Sequence, residues 1–216
     1  MQDQTKTELI FFVGGAEGAG KTSLIQFFEG SLMTPPSFWE YKYHQGESLV
    51  GKLKPFREIS LSDYYRQEVP EFSKNYKPFE EDTLKLEKEL RTQLFEKMPY
   101  QKSFTQNSIT IVDGHYGYLI PTNDGMEYVP IIDEVEAQHI DVFVVVESSG
   151  DELYARRKGE QAYFEKFDIT PEDLAIENQE EIKRAEILSK QFNKLLIKIV
   201  NRDENNAYTE VGHIDR

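Results

Sequence analysis

The sequence contains no cysteine, which excludes disulfides and thiolate-held metal sites and says nothing further about compartment. No apolar run approaches the roughly 20 residues that a membrane-spanning helix needs. The first residues, Met1-Gln2-Asp3-Gln4-Thr5-Lys6-Thr7-Glu8, lack the apolar centre of a secretory signal. A cytoplasmic protein with no membrane contact is the expectation. Positive charge is in short supply: 25 Lys and Arg face 39 Asp and Glu, for a formal net charge of −14. That balance argues against a nucleic-acid partner, because backbone binding draws on clustered Lys and Arg. No internal repeat and no low-complexity tract is present. What remains, 38% hydrophobic and 30% charged residues over 216 positions, suits one α/β domain with insertions and a sizeable core.

Against this background one motif stands out. Gly15-Ala16-Glu17-Gly18-Ala19-Gly20-Lys21-Thr22 fits the phosphate-binding pattern G-x-x-x-x-G-K-S/T, and Ser23 follows it. Its surroundings fit as well. Leu9-Ile10-Phe11-Phe12-Val13 is a short apolar run of strand character, and Leu24, Ile25, Phe27 and Phe28 then give an apolar helical face. The glycines let backbone N–H groups turn toward an anion, and the helix N-terminus adds partial positive charge. Gly15, Gly18, Ala19, Gly20, Lys21, Thr22 and Ser23 are therefore the expected nucleotide-binding residues. Lys21 would reach the β- and γ-phosphates and the Thr22 hydroxyl would hold Mg²⁺.

Five strand-like runs alternate with helical patterns, which predicts a parallel sheet covered on both faces. They are Leu9–Val13, Trp39–His44, Ser108–Asp113, Ile140–Glu147 and Leu195–Val200, with the nearly all-apolar fourth run expected to be central. Pro78 to Met98 reads as a long helix with Leu86, Leu90, Leu94 and Met98 on its core face. Thr170-Pro171-Glu172-Asp173 is a helix start, with Thr as cap, Pro at the first position and acids in the first turn. That helix runs toward Gln191 with Leu174, Ile182, Ala185 and Leu188 inward. The tail from Asn201 onward is polar and turn-like, so loose packing is expected over the last fifteen or so residues.

The run Ile109-Thr110-Ile111-Val112-Asp113-Gly114-His115 is a hydrophobic strand ending in an acid. A triphosphate site needs a carboxylate at a neighbouring strand tip to orient Mg²⁺, and Asp113 has that place; Asp-Gly is also a common turn signal. His115 could face a substrate or simply close the turn. His44, His139 and His213 have no spacing that suggests metal or triad chemistry. After the fourth strand comes Arg156-Arg157-Lys158, on a helix capped by Ser149 or Asp151. Arginine forks suit phosphoryl oxygens; salt bridges to Glu152 and Glu160 are the competing use. Arg184 is a further candidate cation.

In this ordered set the chain resembles the P-loop nucleotide kinases, and most of all the archaeal type of adenylate kinase. The resemblance runs through Phe12–Ser23, Ile111–His115, Gly117–Leu119, Asp141–Glu147, Asp151–Arg157, Glu177–Ala185 and Ile197–Asp203. It leaves the middle third largely unmatched. It implies a three-layer α/β/α P-loop NTPase fold with a five-stranded parallel sheet in the order 2-3-1-4-5. The whole of residues 1–216 would be one domain, with residues 45–100 as a helical acceptor-binding insertion and residues 158–172 as a lid. It further implies ATP as donor, Mg²⁺, and a nucleoside monophosphate acceptor, with catalysis carried by Lys21, Asp113, Arg156 and Arg157. Three departures stand against the family pattern. Glu17 sits where proline is common, Glu47 enters the acceptor-binding turn, and Gln161–Asp168 carries Lys166 as its single cation. Arg57, Arg66 and Arg91 are the cations available to the acceptor half. The other readings are an ATP-binding switch with a protein partner and a P-loop kinase of a non-nucleotide substrate.

Overall fold

The computed structural model describes residues 8–25, 56–69, 81–98, 108–122, 125–157, 159, 164–165, 168–202 and 207–213. The apolar runs pair as the sequence suggests. Strand β1 (Glu8–Gly14) lies between β3 (Ser108–Asp113) and β6 (Val142–Glu147), parallel to both. Strand β2 (Phe56–Ser60) flanks β3, and β7 (Leu195–Arg202) flanks β6, again parallel. The five parallel strands, counted among themselves, run 2-3-1-4-5. Strand β6 is central, with Val142 to Val146 all buried.

The sheet differs from expectation in detail. Its second strand is Phe56–Ser60, and Trp39–His44 lies outside the described residues. A sixth strand, β8 (Ala207–His213), adds antiparallel to β7 where a loose tail was expected. The outer rim of β7 carries unpaired backbone groups, and a returning chain that covers them satisfies those groups and blunts the edge. A separate hairpin, β4 (Gly117–Thr122) with β5 (Gly125–Pro130), pairs Thr122 with Gly125 across Asn123-Asp124. That Asn-Asp-Gly cluster is a hairpin signal in the sequence.

Helices cover both faces. Helix α1 enters at Lys21 (residues 21–25), α2 is Leu61–Glu68, α3 is Glu81–Lys97, α4 is Glu134–Ala137, α5 is Gly150–Arg156 and α6 is Pro171–Gln191. Alternation along the strands splits the core in two. Ile10, Phe12, Val112, Phe143 and Val145 pack with Leu61 and Tyr65 of α2, Leu90, Leu94 and Phe95 of α3, and Ala185 and Leu188 of α6. Val13, Ile111, Val144 and Val146 face the other way, onto Leu24 and Ile25 of α1, Leu153 of α5 and Leu174 of α6. Helix α6 starts at a Thr170–Asp173 capping box with Pro171 in its first turn, as its sequence predicts.

One charge pair is wholly interior. Arg91 of α3 donates from Nε to Glu136 Oε1 at 2.9 Å, from Nη1 to the Tyr65 hydroxyl at 3.2 Å and from Nη2 to the Ile131 carbonyl at 2.6 Å. Arg91 and Glu136 are 1% and 0% exposed. Arg91 is therefore a fastener between α2, α3 and α4, and it is withdrawn from the acceptor role the sequence offered it. Removing one partner strands the other charge in the interior, so Arg91→Ala should cost about 3–5 kcal/mol, read as a lowered urea midpoint.

Candidate functional site

Parallel strands present a crevice at their carboxyl ends where neighbours on either side of one strand lead away in opposite directions. Strand β1 is such a strand, between β3 and β6, and the loop after it carries the phosphate-binding motif. Gly15, Gly18 and Gly20 have φ of 144°, 81° and 100°, which side-chain-bearing residues rarely adopt. Space enforces the same choice: a Cβ at Gly15 would lie 2.6 Å from the Val146 carbonyl, and one at Gly20 would run into Asn201 Nδ2. Each turn of the loop is tied down by a side chain. Lys21 Nζ folds back to the carbonyls of Gly15 (2.8 Å) and Ala16 (3.1 Å), and the lysine is buried. Asn201 Nδ2 of β7 donates to the Ala19 carbonyl at 2.7 Å. Ser23 is exposed on the first turn of α1.

Register brings the acid to this loop. Val13 of β1 pairs with Asp113 of β3, and the Gly114 amide donates to the Val13 carbonyl at 3.1 Å. Thr22 Oγ1 then lies 3.5 Å from Asp113 Oδ2, at the long limit of a hydrogen bond, while Oδ1 is buried without a hydrogen-bond partner. Burial raises the Asp113 pKa; Lys21 and Thr22 pull it back, and Asp63 pushes it up again. Asp63 belongs to the first turn of α2, whose cap Ser60 is in register with Asp113, so α2 opens at the same mouth. A hydroxyl and a buried, unpartnered carboxylate oxygen are hard donors of the kind Mg²⁺ prefers.

Arg156 at the end of α5 and Arg157, its C-cap, reach the loop from the far side. Ser149 is the cap, in a box with Glu152, and the helix delivers Arg156 in its last turn. Arg156 Nη1 donates to the Gly18 carbonyl (3.1 Å) and to Ser148 Oγ (3.0 Å). Arg157 lies between Glu177 of α6 (3.4 Å) and Glu17 of the loop (3.7 Å), with its guanidinium 5.0 Å over the Phe164 ring. The structure thus gathers Lys21, Thr22, Asp113, Arg156 and Arg157 around one loop. Arg184 sits apart and donates twice to the Ile132 carbonyl. Among the described residues no group of three or more His, Asp or Glu forms a metal cluster.

Helix α6 braces the arrangement with residues to which the sequence reading gave no role. Asn178 Oδ1 accepts the Ser148 amide at 3.3 Å, and Glu177 takes Arg157. Glu181, with no exposure, accepts the Tyr116 amide at 3.0 Å and the Gly117 amide at 2.8 Å. A signal for them was available. The inward stripe Leu174, Ala185, Leu188 requires core-facing positions near 178 and 181, and the sequence puts Asn178 and Glu181 there. A polar residue at a core position of an amphipathic helix marks a hydrogen-bonding task. His115 turns inward too; burial, with Lys21 and Arg157 nearby, drives its pKa well down, so the ring is neutral.

Burial pushes the Glu181 carboxyl up to about 7, against the pull of the two amides and of Lys21. A folded-state pKa raised above the unfolded value stabilises below about pH 4.5 relative to higher pH, and that contribution fades as pH rises through about 7. The stability of Glu181→Gln relative to the native chain should therefore rise between pH 5 and pH 8, by up to about 3 kcal/mol. Melting curves of the two proteins across that range check the sign.

No helix among the described residues is long and apolar enough to cross a membrane. No family model matches the chain, and no curated protein does. Solved structures with a similar course include shikimate kinase from Acinetobacter baumannii in complex with shikimate. It is 9% identical with a TM-score of 0.45, over 87% of this chain and 81% of that one. Thymidylate kinase from Ehrlichia chaffeensis is 12% identical with a TM-score of 0.44, over 92% and 89%. Overlap at this level leaves the chemistry to be argued from the site itself.

Proposed function

We propose that the chain is an ATP-dependent phosphotransferase that moves the γ-phosphoryl group to a small-molecule acceptor, and that the acceptor is a nucleoside monophosphate. The observation that carries this reading is the pairing of a complete phosphate-binding loop with Asp113, whose carboxylate faces Thr22 at 3.5 Å and keeps one buried oxygen unpartnered. In the reaction an acceptor oxygen bonds to the γ-phosphorus, the bond to the β–γ bridging oxygen breaks, and ADP leaves. Positioning and charge stabilisation suffice, with no covalent enzyme intermediate. Lys21 and the loop amides would hold the β- and γ-phosphates. Thr22 and Asp113 would hold Mg²⁺, which supplies charge neutralisation on the phosphate oxygens when bound. Arg156 and Arg157 stand on the side of the loop from which they could meet charge that develops during transfer.

On this reading residues 1–216 form one domain, residues 45–100 receive the acceptor and residues 158–172 act as a lid. With Arg91 buried, the described cations left for the acceptor half are Arg57 of β2 and Arg66 of α2, the latter exposed and paired with Asp63 at 2.7 Å. A coupled assay with ATP and a panel of nucleoside monophosphates and small hydroxylated acids is the test. No transfer to any acceptor, with only slow ATP hydrolysis, would sink the proposal. Arg156→Ala should lower kcat by about 10–100-fold and weaken ATP binding by less than about threefold, because its contribution grows in the transition state. Steady-state kinetics beside calorimetric ATP titration separates the two.

A second reading, an ATP-binding switch with a protein partner, is favoured by one observation. Arg156 and Arg157 hold protein groups, Gly18 and Ser148 in one case and Glu177 and Glu17 in the other. Partner capture that requires both ATP and an intact Lys21 is the outcome that would support it.

A further inference from the structure

The turn from Asp113 to Gly117 has anchors on two sides. On the sheet side, Tyr116 Oη donates to the Val144 carbonyl at 3.0 Å and to that of Phe12 at 3.3 Å. On the helix side the anchor is Glu181 alone among the described residues of α6: one carboxylate oxygen accepts the Tyr116 amide and the other the next amide, Gly117. A fully buried carboxylate is costly unless its oxygens are occupied, and apolar residues fill the same stripe at 174, 185 and 188. Packing therefore does not explain an acid here, whereas a demand for two acceptors at one point does. One helical turn earlier Glu177 takes Arg157, and Asn178 takes the Ser148 amide. Helix α6 thus holds the turn after β3, the tip of β6 and the end of α5 from a single face.

We propose that Glu181 is a positioning residue: by accepting the consecutive Tyr116 and Gly117 amides it fixes the turn that sets Asp113 opposite Thr22. The inference rests on the ATP and Mg²⁺ reading of that pair. Glu181 acts through backbone and does not itself touch substrate. The charged and titratable groups that face it are Lys21 from α1, Tyr116 from the turn, Tyr128 from β5, and Glu177 on its own helix.

Calorimetric titration of ATP with and without Mg²⁺ into the native chain, Glu181→Gln and Asp113→Asn tests it. A glutamine accepts one amide and presents a donor to the other, so the turn loses one anchor while volume is kept. Folded Glu181→Gln should bind metal-free ATP within about twofold of the native chain and lose at least about fivefold of the affinity gain that Mg²⁺ confers. Its kcat should fall, and its KM for ATP in the presence of Mg²⁺ should rise with the lost gain. A folded Glu181→Gln that keeps the full Mg²⁺ gain and kcat, while Asp113→Asn loses them, overturns the positioning role alone. Asp113→Asn with the Mg²⁺ gain intact overturns the site reading and this inference together. If Glu181→Gln does not fold, amide exchange in the native chain decides: Tyr116 and Gly117 should exchange as slowly as the core amides of β1 and β3, and fast exchange overturns the role.

Discussion

Lys21→Ala should lower ATP turnover by about 100-fold or more and remove most ATP binding. In the structure the ammonium is buried in the loop and donates to the carbonyls of Gly15 and Ala16, which keeps a charged donor folded against the space a phosphate would enter. Charge-assisted hydrogen bonds are worth about 1.5–3 kcal/mol each, and two of them to a triphosphate correspond to roughly 10²–10⁴ in affinity. The structural cost of the same change is smaller, because Ala19 and Gly18 remain tied by Asn201 and Arg156. A variant that keeps its melting temperature within a few degrees and loses the thermal shift that ATP induces is the expected pattern. Lys21→Met, which keeps the volume without the charge, should behave like alanine. ATP affinity within twofold of the native chain for either variant means that the loop does not serve a phosphate.

Most of the sheet was legible in the sequence because parallel strands buried on both faces leave an undiluted signal. Ser108–Asp113 was bounded without error, and the ends of Leu9–Val13, Ile140–Glu147 and Leu195–Val200 moved by one or two residues. Strand β2 was not found because Phe56-Arg57-Glu58-Ile59-Ser60 is an outer strand with two charged residues in five positions; Glu58 is exposed, and such a pattern does not separate from a loop. The β8 strand was hidden by its polar composition, since pairing at an edge comes from the backbone and not from apolar side chains.

The geometry of the candidate loop was legible for a related reason. Backbone geometry demands glycine at fixed spacing, and a strand tip fixes the acid, so Gly15 to Thr22 and Asp113 declare themselves. What sequence could not assign is who holds whom. Arg156 and Arg157 were placed at the site by their charge and their position after the fourth strand, while their partners Gly18, Glu17, Ser148 and Glu177 come from three separate segments. Arg91 looked like a cation for an acceptor; its burial against Glu136 follows from the packing of α3 on α4, a contact that helical periodicity does not encode. Glu177 and Glu181 received no role, because they sit in an acidic run with Glu180 and Lys183, which pair with each other on the exposed side of the helix.

The second large effect carries opposite signs on activity and stability, and that opposition separates a functional acid from a structural one. Asp113→Asn should lower kcat/KM for ATP by about 100-fold or more, with the loss confined to the Mg²⁺-dependent part, because an amide offers one neutral acceptor where a divalent cation prefers an anionic oxygen. The same change should stabilise the fold at pH 8. Burial holds the Asp113 pKa above its ordinary value, with Asp63 adding to the shift and Lys21 only partly offsetting it. A raised folded-state pKa means that stability is lost as pH rises through it, so at pH 8 the native chain bears the full cost of the ionised carboxylate and the asparagine variant does not. The advantage should shrink as pH falls and both proteins become neutral at this position. Sites kept for chemistry commonly show this exchange of stability for function, whereas Arg91→Ala, which breaks a satisfied interior pair, should lose stability at every pH tested. Urea unfolding of Asp113→Asn at pH 8 and pH 5, beside Mg²⁺-dependent turnover, measures both signs. A variant that is both less stable at pH 8 and unchanged in its Mg²⁺ response would assign Asp113 to the scaffold and remove the metal from this end of β3.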